Sequence, residues 1–385
     1  MKVQGEYGEI EKRMEWKMKK HVVRTIVLMT GLLLLVLATA CGKKKEETKA
    51  VAEEKKEEPE VVEEVEETDP VGMYRSELTN EWIDESLRDQ RPIAAMVDNE
   101  LTALPHYGLS KADVVYEMMN STMNGRITRL MVLVKDWGSI EQLGNIRSAR
   151  TTNVILSSEW NAILCHDGGP FYINSYLSQP CTDHISGGFS RISNGKSREY
   201  TEYITTGEVA AFLEQKKIST TYNEYYEGTH FNFVTEKEQI TPNSADAQTA
   251  CEIILPFPHN SSTLTYGRGD EVYFYSEYGQ AHVDPGNGNT QLSFKNVILQ
   301  KCEYELLDEN GYLTYDCIGS GEGYFITNGK AVPITWSKEA FASPTKFMLT
   351  SGEEITLNTG KTYIALVPSD RWDELVLNGT TQQEQ

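Results

Sequence analysis

Four arginines, Arg126, Arg129, Arg147 and Arg150, fall within 25 positions of one another in an otherwise acidic chain. Guanidinium groups grip carboxylate and phosphate oxygens in pairs, so arginines that converge make an anion site. Arg129 falls at the start of a strand expected from the apolar run Ile127–Val134. At a spacing of i,i+3, Arg147 and Arg150 fit one face of a helix expected over Arg147–Leu156. Asn99 is a further ligand-binding candidate. The competing reading is structural: each arginine pairs with Asp98, Asp113, Glu117 or Asp167 as an ion bridge.

A second group with chemical potential is His166-Asp167-Gly168-Gly169, placed after a strand expected over Trp160–Cys165. Loops at strand ends often carry function, and His166 there is a candidate general base or metal ligand with Asp167 or Asp98 to orient it. A lone histidine in a turn more often has a structural role. His282-Val283-Asp284 puts two polar groups on one strand face, but no histidine pair lies near enough in sequence to make a zinc motif. No metal or cofactor is therefore expected. Phosphate-loop, zinc-protease, C-x-x-C and calcium-loop patterns are absent from the sequence. Ser110, followed by Asp113, reads as a helix cap and not as a nucleophile.

These residues sit on a framework that charge divides in three. The 385 residues carry a net charge of −21, which partitions as +3 up to Cys41, −6 over Gly42–Asp69 and −18 over Pro70–Gln385. Such acidity in the folded part excludes a nucleic-acid footprint. Residues 1–40 read as a signal peptide, with basic residues to Arg24, an apolar run to Thr39 and small residues at the cleavage site. Cys41 directly after Ala38-Thr39-Ala40 resembles the bacterial lipobox, which implies a diacylglyceryl cysteine and a membrane-anchored, extracytoplasmic protein. A leader beginning at Met18 has the more usual form, and Met1, Met14 and Met18 all stand as start codons. Residues 41–69, nearly all Lys, Glu, Val and Ala, cannot bury enough apolar surface to fold and read as a disordered tether.

The fold class expected is α+β. Residues 70–241 mix apolar strands (Pro92–Val97, Ile127–Val134) with helical signals at Ser110–Glu117, Arg147–Leu156 and Gly207–Gln215. Residues 242–370 are a succession of short strands separated by turn dipeptides, read as a mainly antiparallel β domain, and 371–385 read as a polar tail. Five cysteines remain besides Cys41. If Asp308–Gly311 forms a four-residue loop, Cys302 faces Cys317 and the two can form a disulfide. A two-residue Asn310–Gly311 loop sets Cys302 against Gly319 instead.

Several stretches in one order, among them Arg91–Asn99, Gly108–Glu117, Gly125–Leu130, Gly144–Arg150, His166–Gly169, Asn296–Gln300 and Gly352–Thr362, resemble the YerB-type bacterial lipoprotein family. That resemblance implies N- and C-terminal domains of unknown function and an envelope address, with no established reaction. Two readings of function stand. One is a non-enzymatic lipoprotein that binds an anionic small molecule, a cell-wall component or a protein partner. The other is an envelope enzyme holding a phosphate- or carboxylate-bearing substrate on the arginines, with His166, Asp98 or Asp167 in acid–base roles.

Overall fold

A strand that is apolar at every position is stable only when both of its faces are covered, and the runs around Ile93, Val114, Leu130 and Ile163 all have this character. In the computed structural model, which describes residues 70–235 and 238–378, they become β1 (Ile93–Asp98), β2 (Val114–Met119), β3 (Thr128–Val134) and β4 (Ile163–His166), followed by β5 (Asp183–Ser186). The expected signal peptide, Cys41 and the tether lie outside the described residues. No helix among the described residues is long and apolar enough to cross a membrane.

The second half contributes β6 (Gln248–Thr249), β7 (Asn296–Cys302), β8 (Gly319–Thr327), β9 (Lys330–Lys338), β10 (Lys346–Leu349) and β11 (Thr362–Pro368). All eleven share one mixed sheet in the order β6-β9-β8-β7-β11-β2-β3-β1-β4-β5, with β10 paired to β9. The halves meet where β11 runs parallel to β2, from Thr362 opposite Val114 to Leu366 opposite Met118. The change of pattern near residue 242 is thus a change in sequence character within one hydrogen-bonded sheet. The second half is also less purely antiparallel than expected, because β7 and β11 pair in parallel.

Strand alternation sends side chains to two opposite layers. Ala95, Val97, Val115, Val132 and Tyr363 join an apolar cluster with a second sheet, built on Glu252–Ile254, Thr263–Gly267 and Val272–Glu277, and with α3 (Glu208–Lys216). Ala94, Met96, Val114, Met131 and Ile364 pack instead with Val154 and Leu156 of α1 (Thr151–Glu159), behind which the short α2 (Asn174–Leu177) lies. The molecule is sheet-rich, with helix confined to a few short pieces.

Three sequence expectations change. Ser110–Glu117 is not a helix: a single 3₁₀ turn at Leu109–Lys111 leads into β2. Ser110 gives its amide and hydroxyl to Asp284 rather than capping a helix, and the β-branched pair Val114-Val115 is satisfied by the sheet. Residues 376–378, expected in the polar tail, form a strand against Glu252–Ile254 that seats Leu377 beside Ile253. The strand expected from Trp160 starts only at Ile163, because α1 runs on to Glu159.

The hairpin tip is the four-residue loop Asp308–Gly311. The Leu307 amide bonds the Tyr312 carbonyl at 2.7 Å, and Asp308 Oδ1 accepts the amides of Asn310 and Tyr312 at 3.0 and 3.2 Å. Extending the register of Tyr304 with Tyr315 by two residues sets Cys302 opposite Cys317. The Asp316 amide bonds the Glu303 carbonyl, so the cysteines occupy a non-hydrogen-bonded pair, the type with closely spaced Cα atoms. Both are buried free thiols here, and burial raises their pKa, that of Cys317 to about 12. Treatment of the purified protein with a mild oxidant is expected to remove two hydrogens from this pair, seen as a reductant-reversible mass change mapped to the peptides carrying Cys302 and Cys317. An unchanged mass would show that the hairpin holds the sulfurs apart.

Asp113, at the entrance to β2, is half-buried and accepts the Lys135 amide at 2.6 Å. Burial raises its pKa to about 7, against the opposing pull of the Lys135 amide and of Lys361. A raised carboxyl pKa means that the folded state holds the proton more tightly than the unfolded state. Its contribution to stability is therefore complete below pH 4 and is lost as pH rises through about 7. Asp113→Asn is expected to abolish this loss. Urea unfolding at pH 5 and pH 8 should show the variant gaining on the wild type at the higher pH, by on the order of 2–4 kcal/mol. An equal difference at both values would contradict the assignment.

Candidate anion site

The antiparallel register of β1 and β3 sets Asp98, the last residue of one, opposite Arg129, the second residue of the other. Alternation turns both side chains toward the α1 layer. The chain then returns to the same sheet end: Ile146 forms a bridge with Val97, and the Arg147 amide bonds the Met96 carbonyl at 2.9 Å. Asn153 Oδ1 accepts the Arg150 amide at 2.7 Å and starts α1 at Thr151. Arg147 and Arg150 therefore do not share a helical face as their spacing suggests. They lie in the extended segment before the helix, with Arg150 as its N-cap.

Two of the four arginines nevertheless converge on Asp98, and Arg150 adjoins Arg129. Arg147 Nε lies 2.6 Å from Asp98 Oδ2, and Arg129 Nη2 lies 3.9 Å from the same oxygen. Arg147 also reaches Glu199 at 3.2 Å near the surface. Arg129 Nη1 donates to the Ser148 carbonyl at 2.7 Å and Arg150 Nη1 to the Ala149 carbonyl at 2.9 Å, while the Arg150 guanidinium stacks 4.3 Å from the centre of the Tyr312 ring. The Arg129 and Arg150 Nε donors are buried without a hydrogen-bond partner, and no carboxylate ion-pairs with Arg150 among the described residues. Burial and then the neighbouring Arg129 push the Arg150 pKa down to about 9. Arg129 is lowered by burial and by Arg147, with Asp98 opposing. The site thus holds more buried cation than its carboxylate balances.

A hairpin from the second half closes this site. Its tip rests on the segment after β2, where the Thr122 amide bonds the Gly311 carbonyl at 2.9 Å and Ser121 Oγ bonds the Asn310 carbonyl at 3.0 Å. Gly311 has a φ of +76°, and a Cβ there would lie 2.6–2.8 Å from atoms of Ser121, Thr122 and Met123, so only glycine allows this docking. Tyr312 and Leu313 follow directly. The cavity that results measures about 10 Å³, room for a single water-sized group, and is lined by Asn120, Arg129, Arg150, Thr152 and Asn153 with apolar walls from Met118 and Leu313. The N-terminus of α1 opens onto it and adds its positive end to the field.

Other sequence candidates are placed elsewhere. Arg126 forms a bidentate pair with Asp370, at 3.0 and 2.6 Å, beside a surface groove of about 410 Å³ that also holds His259 and Arg371. That groove is larger, but its charges are balanced: His259 faces Glu100 at 3.2 Å and Arg371 faces Glu374 at 2.5 Å. Asn99 turns to the opposite face of the sheet, where it donates to Thr128 Oγ1 at 2.9 Å. His166 does end a buried strand, but its ring nitrogens meet the Gly168 carbonyl at 2.7 Å and His184 Nδ1 at 3.1 Å, and burial lowers its pKa to about 4. Asp167 pairs with Arg191 at 3.1 Å. The proposed acid–base set of His166 with Asp98 or Asp167 is not assembled.

Two family descriptions match this chain: Protein of unknown function (DUF3048) N-terminal domain over residues 78–219, and the corresponding C-terminal domain over residues 253–364. The chain belongs to the DUF3048 family. This DUF3048 chain is 24% identical over 316 residues to "Putative lipoprotein YerB" of Bacillus subtilis (strain 168), a match covering 78% of this chain and 88% of the relative. Its fold is similar to the crystal structure of the YerB protein from Bacillus subtilis, with a TM-score of 0.66 at 22% identity, over 79% of this chain and 99% of that one.

Two sets of residues in this DUF3048 fold escaped sequence reasoning. Tyr312 carried no local signal, because its place beside Arg150 follows from the docking of a hairpin far away in the chain. His106, Glu277 and His282 come together on the other face of the sheet from positions too distant for any spacing motif to register.

Proposed function

We propose that this DUF3048 member is a cell-envelope lipoprotein, anchored to the extracytoplasmic face of the membrane through a diacylglyceryl group on Cys41, that binds an anionic ligand at Arg129, Arg147 and Arg150. The likeness to a relative named as a lipoprotein supports the anchor, and the Gly42–Asp69 tether would let the folded part stand off the membrane. The binding reading is carried by one observation: two buried guanidinium groups, each with an unpartnered Nε donor, line a cavity at a helix N-terminus, with Asp98 as the one carboxylate inside the cluster. Buried donors without partners carry a desolvation cost that an arriving oxygen anion removes. The size of the cavity fits one oxygen of a phosphate or carboxylate head, with the remainder of the ligand outside. Binding is favoured over catalysis because Asp98 is committed to arginines and His166 to Gly168 and His184.

Thermal unfolding of the full chain in detergent, at constant ionic strength and pH 7, tests this reading with inorganic phosphate and with citrate against chloride. Phosphate or citrate at ten times its dissociation constant should stabilise by about 1.4 kcal/mol and raise the midpoint by a few degrees. Arg150→Gln should lose most of that shift, while Arg126→Gln, in its separate pair with Asp370, should keep it. The reading fails if no anion shifts the wild type beyond chloride, or if Arg150→Gln responds as the wild type does.

A further inference from the structure

The face of the sheet opposite the arginines holds buried carboxylates with no cation. Glu117, in the middle of β2, and Glu277, at the end of the Val272–Glu277 strand, are both fully buried, and neither ion-pairs with a lysine or arginine among the described residues. The Tyr275 hydroxyl links them, 3.0 Å from Glu117 and 3.4 Å from Glu277. Two buried histidines adjoin this pair. His282 Nδ1 lies 2.8 Å from Glu277 Oε1, and His106, from the loop after β1, sets its ring 5.0 Å from that of His282 at an angle of 46°.

Three of the four ring nitrogens of these histidines are poorly partnered. Neither Nδ1 nor Nε2 of His106, nor Nε2 of His282, makes a hydrogen bond of good geometry, and the group facing the His106 ring is the Asp98 backbone carbonyl. Buried polar atoms in this state are rare, and three in one small region call for an explanation. One donor atom from each of His106, Glu277 and His282 lies within 4.8 Å of the others. His282 Nδ1 and Glu277 Oε1 share one proton at 2.8 Å, and a divalent ion can take that proton's place between them, because metal binding displaces protons from its ligands. Two imidazole nitrogens and a carboxylate suit zinc and its transition-metal neighbours, whereas magnesium and calcium take all-oxygen sets.

We propose that His106, Glu277 and His282 bind one divalent transition-metal ion of the zinc class. The ion would clamp the loop after β1, in the first half, to the second sheet, which belongs to the second half. Its two positive charges would answer the negative charge of Glu117 and Glu277. Bonds of about 2.0–2.1 Å to a tetrahedral ion put ligand atoms about 3.4 Å apart, so His282 Nδ1 and Glu277 Oε1 open slightly from 2.8 Å while His106, within 4.8 Å of both, moves in. All three are buried, so the role is structural: the metal holds the halves in register and has no route to a substrate.

The test uses the full chain in detergent, stripped with chelator and titrated with Zn²⁺ and, in parallel, Co²⁺. Wild-type protein should bind one equivalent with an affinity tighter than micromolar, unfold several degrees higher, and show a visible Co²⁺ absorption band. His106→Gln and His282→Gln should each weaken binding at least 100-fold and lose the band, while His166→Gln retains both. X-ray absorption on the wild-type zinc complex keeps the test decisive if a variant does not fold, and imidazole scattering with no sulfur shell is the expected result. The proposal is overturned by the absence of one-to-one binding, by unchanged binding in His106→Gln, or by a coordination shell with sulfur or without imidazole.

Discussion

A single buried carboxylate organises the junction between the two halves of this protein. Glu117 accepts hydroxyl hydrogen bonds from Thr128 at 2.6 Å, Ser262 at 2.7 Å and Tyr275 at 3.0 Å, and a further one from Tyr363. Thr128 belongs to β3, while Ser262, Tyr275 and Tyr363 belong to the second half. Hydrogen bonds to a charged acceptor in a poorly screened interior contribute about 1.5–3 kcal/mol each, and removing a donor strands the acceptor. Burial raises the Glu117 pKa while these donors pull it down, so the network holds only when its members are all present. The β2–β11 pairing and this network act on the same residues: Glu117 is opposite Ala365, two places from Tyr363. Neither half can be satisfied there alone.

From that junction the sheet carries two polar sites of opposite sign on opposite faces. Adjacent residues at the end of β1 separate them: Asp98 turns to the arginines under α1, and Asn99 turns to Thr128 beside Glu117. The cationic side gathers more guanidinium than its carboxylate balances, and the anionic side gathers carboxylates that ion-pair with no lysine or arginine among the described residues. Each imbalance is a distinct desolvation cost, and each motivates a ligand of the opposite charge. The second half contributes to both, with Tyr312 on one face and Glu277 and His282 on the other.

What could be read from the sequence follows the range of the forces involved. The apolar runs of β1 and β3 and the helix expected at Gly207–Gln215 were legible because local composition decides them, and Arg129 was placed correctly at its strand start. The Ser110–Glu117 segment misled because its cap-like spacing competes with two adjacent valines, and the sheet resolves the conflict in favour of the strand. Arg147 and Arg150 do not share the helical face that their spacing suggests, since backbone bonds to Met96 and a side-chain cap at Asn153 delay the helix to Thr151. Asn99, a candidate next to Asp98 in sequence, turns away from the arginines because one step along an extended chain reverses side-chain direction. The meeting of His106 with His282 depends wholly on tertiary closure and left no trace in spacing.

The central claim is that the arginine cluster under α1 is built to receive an oxygen anion, and crystals of the protein soaked in selenate or tungstate test it most directly. Anomalous difference density is predicted between Arg129, Arg150 and the N-terminus of α1. Density confined to the Arg126 groove, or an arginine cluster that excludes the anion while its Nε donors stay unpartnered, would contradict it.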